Sequence, residues 1–530
     1  MKAIDLYAGI GGWSVGLKLA GIEVVKSYEW WDEANATHSK NVSANVVQAD
    51  IRALPLDAFP QGVDVVVGSP PCTQFSYANR GGSGDIDDGF KDILKFFEVV
   101  DHVKPRFWAM ENVPRVANLL NDSSVRTKVL GKLSYLLDDA SIAVIDCSDF
   151  GTPQKRKRCI AGNFDFALLN SYQDRIRSLS LGDVIKAVSK QVIADPNYNI
   201  SMSSNEVTGL TLEDPLSGEE LRMNHDAKAF HPVYNNMPFP DPLHVASRTI
   251  TATCTRVSRE SVIVEFPEGC GRFRRLSVRE RATAQGFPVF YQFHGSNYTS
   301  QLKMIGNAIP PNVTYAIACA MQSISKERFV PTQQAKMFNF ADVDCAPEFT
   351  PDTQGRSYRE KRSFVAAIPS LRFKSGMRFE LNNGKGSGVW SVEFFFGDSK
   401  RIHSITLDRL LSAEIENATS SGVVLKVLKR ASAKVARLAR DFEHASAQSV
   451  WNGKADGTHP HQIVDALGQI AQEAIDGVTS FAFEERVEKI ILKRMPKEVA
   501  FTGRQKVAKY ASEVLVGLYI GSSFNAAVKG

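Results

Sequence analysis

Short apolar segments alternate with amphipathic segments over the first 165 residues of the chain. The apolar segments predict six strands, at residues 3–7, 24–29, 63–67, 106–110, 143–147 and 159–162. The segments between them, such as residues 12–19 and 89–103, have the apolar spacing of helices. Strands that alternate with helices in this way predict a parallel sheet covered by helices.

The pattern changes after residue 162. Residues 163–267 are rich in turn-forming residues and show little periodicity, which predicts a small, loop-rich region. Amphipathic helices are predicted again in "RRLSVRERATAQGF" and "VTYAIACAMQSI". We therefore predict a first domain over 1–165 that resumes over 271–328, an inserted region over 166–270, a linker over 329–363 and a further domain over 364–530.

Length and composition limit the class of protein. The 530 residues are more than one hydrophobic core normally organises, and 43% hydrophobic and 23% charged residues are ordinary for a globular protein. No segment approaches the roughly 18 apolar residues that span a bilayer. The seven cysteines are scattered and never spaced as CxxC, which predicts a reducing compartment, the cytoplasm, without disulfides or a bound metal.

A glycine-rich turn follows the first predicted strand in "DLYAGIGGWSVG". Glycines there let the backbone turn into a helix and pass close to a ligand, and they stand at Gly9, Gly11 and Gly12. Glu29 ends the second strand, where a carboxylate can accept hydrogen bonds from ribose hydroxyls. Asp50 is placed to accept from an adenine amino group, and Trp30 offers a face for stacking. Because no cation remains to neutralise a pyrophosphate, this set favours S-adenosylmethionine over NAD.

A single cysteine follows a buried strand and a proline-stiffened turn in "VDVVVGSPPCTQFSYANR". Cys72 and Glu111 both follow or end strands, at the sheet edge where open parallel sheets bind ligands. A thiol, a carboxylic acid and an adenosyl site at one edge predict methyl transfer to C5 of cytosine. Thiolate addition at C6 activates C5, and an acid at N3 relieves the developing charge. Arg156 and Arg158 are candidates to favour the thiolate.

Seven motifs occur in the order found in C5-cytosine-specific DNA methyltransferases, a family that residues 1–325 closely resemble. "DLYAGIGG" resembles the cofactor loop, "SYEWWD" the ribose-binding motif, "GSPPCTQFS" the nucleophile motif, "MENVP" the acid motif and "QKRKR" the paired-arginine motif. "RRLSVRERATAQGFP" resembles the helix that supports the recognition domain, and "IGNAIPPNV" the last motif. The resemblance implies a Rossmann-like α/β methyltransferase with a doubly wound, mostly parallel sheet, a small loop-rich recognition domain and a C-terminal α+β accessory domain.

The resemblance also implies the roles of individual residues. Cys72 is the nucleophile, Glu111 contacts the base at N3, Arg158 holds the cytosine O2, and Arg156 anchors phosphate or the catalytic loop. The implied cofactor contacts are Tyr7, Gly9, Gly11, Gly12, Glu29, Trp30, Asp50, Ile51 and Asn307. Two positions depart from the family pattern, since Thr73 replaces the usual Gln and Tyr7 the usual Phe.

The implied substrate is double-stranded DNA with a flipped cytosine, over which "SYANRGGSGDIDDGF" closes as a mobile loop. Residues 166–270 would then be the target-recognition region, with Arg248, Arg256 and Arg259 as candidate contacts to phosphate or guanine. The implied setting is restriction-modification or phage defence, with cognate nuclease or defence components as partners. Two alternatives stay open: a tRNA cytosine-5 methyltransferase, and a DNA-binding regulator that has lost catalysis.

Residues 364–530 lie outside the resemblance. Their pattern predicts a β-meander over 364–410 with a turn at "NNGKGSG", followed by helices. In "VVLKVLKRASAKVARLAR" the basic residues Lys426, Arg430, Lys434 and Arg437 line one helix face. A solvated face, a second DNA contact and a module for oligomerisation or partner docking are the open interpretations.

Overall fold

A computed structural model describes the chain except residues 43–44, 72–74, 76–85, 230–235, 336–344, 352–360, 374–375, 398–401, 420–421, 479–488, 492, 495–506, 508 and 530. The chain divides into two compact units. The first consists of Met1–Ala229 and Met237–Gln354, and the second of Phe230–Asn236 and Gly355–Gly530. None of the described helices combines the length and apolar character needed to cross a membrane.

The first unit is built on a seven-stranded sheet. The strands of this unit are β1 (Lys2–Leu6), β2 (Glu23–Glu29), β3 (Val46–Gln48), β4 (Val65–Gly68), β5 (Phe107–Asn112), β6 (Ser141–Asp146), β7 (Gln154–Lys155), β8 (Lys157–Gly162), β9 (Val192–Ala194), β10 (Ser201–Ser203), β11 (Ser247–Arg248), β12 (Ile263–Glu265) and β13 (Phe273–Arg275). The spatial order in the large sheet is β3-β2-β1-β4-β5-β8-β6. All six predicted strands are present in this sheet.

One strand of the sheet, β8, is antiparallel to its neighbours. β8 is antiparallel to both β5 and β6, whereas the remaining neighbours are parallel. Only residues 147–156 connect β6 to β8, which is too short for the helical crossover that a parallel pair requires. The sheet is therefore mixed and mostly parallel.

The central strands are buried on both faces of the sheet. Val65 and Val67 of β4 pack with Trp13 in one core cluster, and Val66 packs with Phe97 in the other. An uninterrupted apolar strand is expected where helices cover both faces.

The helices of the first unit cover this sheet and the inserted region. They are α1 (Gly12–Leu19), α2 (Asp32–Asn41), α3 (Ile86–Val103), α4 (Pro114–Asn121), α5 (Ser123–Leu130), α6 (Phe166–Ser171), α7 (Leu181–Val188), α8 (Gly218–Ala229), α9 (Val278–Ala284), α10 (Tyr298–Asn307) and α11 (Pro311–Met321). A β-carbon at Gly12 would lie 2.3 Å from the carbonyl oxygen of Ile309, so this glycine permits α1 to approach the segment before α11. The amphipathic pattern predicted for α9 and α11 is wrong, because both helices are buried over their whole length.

The inserted region has little regular structure, as the sequence predicts. Its strands form two-stranded pairs, β9 with β10 and β12 with β13. Leu181, Ile185, Ile250 and Val262 contribute to a separate small core there.

The second unit is an antiparallel meander with helices. Its strands β14 (Val365–Arg372), β15 (Arg378–Asn382), β16 (Ser391–Gly397) and β17 (Ile402–Thr406) pair in sequence order, which confirms the predicted meander. Its described helices are α12 (Arg409–Ala418), α13 (Gly422–Asp441), α14 (His444–Trp451), α15 (Pro460–Val478) and α16 (Ala511–Lys529). Asn525 of α16 donates to the carbonyl oxygens of Val392 and Leu407, at 2.9 and 2.8 Å, which fixes this helix against the sheet.

Candidate active site

A cavity of about 700 Å³ lies at the carboxyl ends of β1, β2, β4 and β5. Eight of the nine predicted cofactor residues line it, namely Tyr7, Gly9, Gly12, Glu29, Trp30, Asp50, Ile51 and Asn307. Three of the four predicted catalytic residues also line it, namely Glu111, Arg156 and Arg158. Cys72 lies outside the described residues, while Pro70 and Pro71 immediately before it line the same cavity.

The glycine turn after β1 is held by the carboxylate of Glu29. This carboxylate accepts hydrogen bonds from the backbone N–H groups of Gly9 and Trp31, at 2.8 and 2.7 Å. Burial raises the pKa of Glu29 above its usual value, although these two hydrogen bonds act in the opposite direction. Gly11 has a φ of 88°, and a β-carbon there would lie 2.7 Å from the ring of His38. Gly11 therefore faces α2, and it is not among the residues that line the cavity.

Trp30 and Asp50 lie at the open side of the cavity. The Trp30 side chain is 67% exposed, which is unusual for a tryptophan and leaves a ring face accessible. Asp50 caps the short 3₁₀ helix Ile51–Ala53 by accepting from the backbone N–H of Arg52 at 3.0 Å. This hydrogen bond involves one of the two carboxylate oxygens of Asp50.

Glu111 and Arg158 form an ion pair inside the cavity. The distance from Nε of Arg158 to Oε1 of Glu111 is 2.7 Å, and both side chains are largely buried. In the antiparallel pair of β5 and β8, Glu111 lies opposite Ile160. Arg158 is therefore its diagonal neighbour on the same face of the sheet. The reversed strand β8 is what brings this arginine to the carboxylate.

Arg156 lies between β7 and β8, two residues before Arg158, and has different partners. Its guanidinium is buried and donates to the carbonyl oxygens of Ile250, Gly306 and Ala308, at 2.9, 3.0 and 3.1 Å. It therefore joins the cavity wall beside Asn307 to the inserted region. These are contacts of a structural residue, and the role of anchoring phosphate stays a prediction.

The turn that precedes Cys72 is fixed by two side chains. Asn112, at the end of β5, donates from Nδ2 to the carbonyl oxygen of Pro70 at 3.0 Å. Trp13 donates from Nε1 to Oγ of Ser69 at 3.0 Å. Cys72, Thr73 and residues 76–85 of the predicted mobile loop lie outside the described residues, so the structure tests neither the nucleophile nor the loop closure. The last five residues of the predicted loop, 86–90, belong to helix α3.

The sequence profile of C-5 cytosine-specific DNA methylases matches residues 1–323. The chain belongs to this family. It is similar to the Type II methyltransferase M.NgoPII of Neisseria gonorrhoeae, with 27% identity over 61% of this chain and 95% of that protein. M.HindV of Haemophilus influenzae is also 27% identical, over 62% of this chain and 98% of that protein. Among solved structures, the Schizosaccharomyces pombe Dnmt2 methyltransferase aligns with a TM-score of 0.43 and 17% identity, over 61% of this chain and 98% of that one.

The protein is therefore a DNA (cytosine-5-)-methyltransferase, and its cavity lies within the matched residues. Residues 324–530, which include nearly all of the second unit, lie outside the match.

An arginine-centred network at this methyltransferase's cavity was not predicted from the sequence. Arg52 donates from Nε to Oδ1 of Asp92 at 2.7 Å and from Nη1 to Oδ1 of Asp88 at 2.9 Å. The hydroxyl of Tyr7 donates to the carbonyl oxygen of Asp92 at 3.3 Å. Asp88 and Asp92 belong to the first two turns of α3, so the network ties the loop after β3 to the beginning of this helix. The partners are 36 and 40 residues apart, and no local pattern in the sequence marks them.

The three arginines named as candidate DNA contacts in the inserted region have partners within the protein. Arg248 pairs with Asp241 at 2.6 Å, and Arg256 pairs with Glu220 at 2.6 Å. Arg259 donates to the carbonyl oxygen of Ala227 at 2.7 Å. Because this region has few regular elements, buried ion pairs and arginine–carbonyl bonds hold its loops together. The structure thus shows a structural role for these residues, and their contact with DNA stays a prediction.

We expect Arg248→Ala to destabilise the methyltransferase by about 3 kcal/mol, because removing one partner leaves the buried Asp241 carboxylate without its counter-charge. Arg248 also donates to the carbonyl oxygens of Arg259 and Glu260, which lose this donor. Chemical denaturation followed by fluorescence measures the change. Arg272→Ala is the matched control, since Arg272 is exposed and lies just after the inserted region. Equal stability of the two variants would contradict the structural role of Arg248.

Proposed function

We propose that the enzyme transfers a methyl group from S-adenosylmethionine to C5 of a cytosine that is flipped out of double-stranded DNA. The observation that carries this proposal is the Glu111–Arg158 pair, which shares one cavity with Glu29, Trp30 and the turn leading to Cys72. A buried acid, a guanidinium and a cysteine segment beside a nucleoside-sized site are the groups that the reaction requires.

The residues present fit S-adenosylmethionine. Each carboxylate oxygen has two lone pairs, so Glu29 can hold the glycine turn and still accept from the ribose hydroxyls. The exposed ring of Trp30 offers a stacking face for the adenine, and the Asp50 carboxylate lies near enough to line the same cavity. When bound, S-adenosylmethionine supplies an electrophilic sulfonium methyl group.

The protein's own groups activate the cytosine. The Cys72 thiolate forms a bond to C6, and the electron pair of the C5–C6 double bond moves through the ring toward N3. Glu111 pairs with Arg158 as a carboxylate and acts as the acid in its protonated form. In that form it donates a proton to N3, which leaves C5 as an enamine carbon able to take the methyl group. A base then removes the proton from C5, and that electron pair re-forms the C5–C6 double bond as the bond from sulfur to C6 breaks. N3 returns its proton to the Glu111 carboxylate, and the thiolate is released with the neutral methylated ring.

The geometry of Glu111 and Arg158 supports a defined orientation of the cytosine ring. The two side chains can present a proton donor to N3 and a guanidinium to the neighbouring exocyclic oxygen O2, because they already lie 2.7 Å apart. These atoms are inaccessible while cytosine is paired and stacked, so the reaction requires base flipping. We propose restriction-modification or phage defence as the setting, by analogy with the Type II relatives.

Bisulfite sequencing of DNA from cells that express the enzyme tests the proposal. We expect cytosines resistant to conversion within one recurring sequence, and none in cells that express Cys72→Ser. Total tRNA from the same cells is sequenced in parallel. Resistant cytosines in tRNA alone would favour the tRNA methyltransferase, and resistance in neither nucleic acid would favour the non-catalytic regulator.

A further inference from the structure

Helix α13 in the second unit carries a row of exposed cations, which we call the basic crest. The crest consists of Lys426, Arg430, Arg437 and Arg440, all of which are exposed. The opposite face of the helix is buried and apolar, formed by Val424, Leu428, Ala431, Val435 and Ala439. At 100° per residue, the crest lies on the side of the helix directly opposite this buried face. The crest is thus the most accessible surface of the helix.

Two further cations of α13 differ from the crest. Lys429 pairs with Glu416 of α12 at 3.5 Å, and Lys434 pairs with Glu473 of α15. These two lysines lie at the margins of the exposed face, where neighbouring helices supply carboxylates. The crest cations make no ion pair with any residue that the structure describes. Among the described residues, carboxylates therefore pair with the two marginal lysines and not with the crest cations.

We propose that the basic crest binds the phosphate backbone of double-stranded DNA without sequence preference. The crest extends over about 21 Å at 1.5 Å per residue, a length along which duplex DNA presents roughly 12 phosphate charges. It carries only cations and the small side chains between them, such as Ala433 and Ala436, and no Asn or Gln that would read base edges.

The composition of the crest favours DNA over a protein partner. Protein interfaces depend on buried aromatic and large apolar anchors at their centre. The crest has no such anchor between residues 426 and 440. DNA is the polyanion on which this family acts, and contact with flanking duplex would add affinity that the catalytic unit alone does not provide.

Binding of the full-length protein to a duplex without cytosine tests the proposal. The quadruple variant Lys426→Gln, Arg430→Gln, Arg437→Gln and Arg440→Gln is expected to bind about 10- to 100-fold more weakly at low salt, with the slope of log K against log salt reduced by about 3 to 4. A duplex without cytosine separates this result from the proposed methylation, which it does not require.

Two control variants isolate the crest. The charge-conserving variant Lys426→Arg, Arg430→Lys, Arg437→Lys and Arg440→Lys should keep wild-type affinity and salt slope. The margin variant Lys429→Gln with Lys434→Gln should change affinity less than the crest pair Lys426→Gln with Arg430→Gln, although both lose two charges. Three results would each overturn the proposal. The first is an unchanged salt slope in the quadruple variant, and the second is an equal loss of affinity in the margin pair and the crest pair. The third is a quadruple variant that binds single-stranded RNA more weakly but duplex DNA as well as wild type.

Discussion

Cys72→Ser is expected to lower the rate of methyl transfer by about 10⁴-fold or more. A cysteine thiol ionises near pH 8.5 and is a strong nucleophile as the thiolate, whereas a serine hydroxyl remains protonated at neutral pH unless a strong base activates it. The affinity for S-adenosylmethionine should stay within about twofold of wild type, because the nucleoside contacts we propose come from other residues. Incorporation of a radiolabelled methyl group and calorimetric titration of the cofactor measure the two quantities.

Cys270→Ser is the matched control for this experiment. Cys270 is an exposed cysteine of the inserted region and does not line the cavity, so its replacement should leave both quantities unchanged. Substantial methyl transfer by Cys72→Ser would show that another group attacks the ring. Loss of cofactor binding in that variant would show that Cys72 belongs to the nucleoside site.

The second large effect is expected for Glu111→Gln. Glutamine has nearly the same shape and can still accept from Arg158, but it cannot donate a carboxylic acid proton to N3. We expect single-turnover methyl transfer to fall by about 10²- to 10⁴-fold, the range that a positioned general acid supplies. Cofactor affinity should be retained.

Glu327→Gln provides the corresponding control, since Glu327 is exposed and lies outside the cavity. A Glu111→Gln rate within a few-fold of wild type would exclude proton donation by this carboxylate.

Arg158→Lys separates the role of Arg158 from that of Glu111, because it keeps a positive charge near Glu111 while losing the planar guanidinium.

Local patterns in the sequence predict much of the sheet and the cofactor side of the cavity. Helix α1 begins and ends at the predicted residues, and β2 ends at Glu29 as expected. The carboxyl ends of neighbouring parallel strands meet at one sheet edge, so residues after each strand could be placed together without knowing any distance. Glu111 and Asp50 both line the cavity for this reason.

Long-range pairings could not be predicted in the same way. Arg158 meets Glu111 because β8 is reversed, and that reversal follows from the short connection after β6. The partners of Arg52 and Arg248 depend on how loops meet in space, which local periodicity does not report. Helix α11 has a partly polar sequence yet is buried on all sides, since both the sheet and neighbouring helices surround it.

The most direct test of the account is covalent trapping on a DNA duplex that carries 5-fluorocytosine at the recognised position. Fluorine at C5 cannot leave as a proton does, so the ring stays bonded to the cysteine sulfur once C5 has been methylated. With S-adenosylmethionine present, we predict a denaturation-resistant complex of the wild-type protein with DNA that does not form with Cys72→Ser. A wild-type protein that methylates the ordinary duplex but forms no such complex would contradict covalent attack by Cys72.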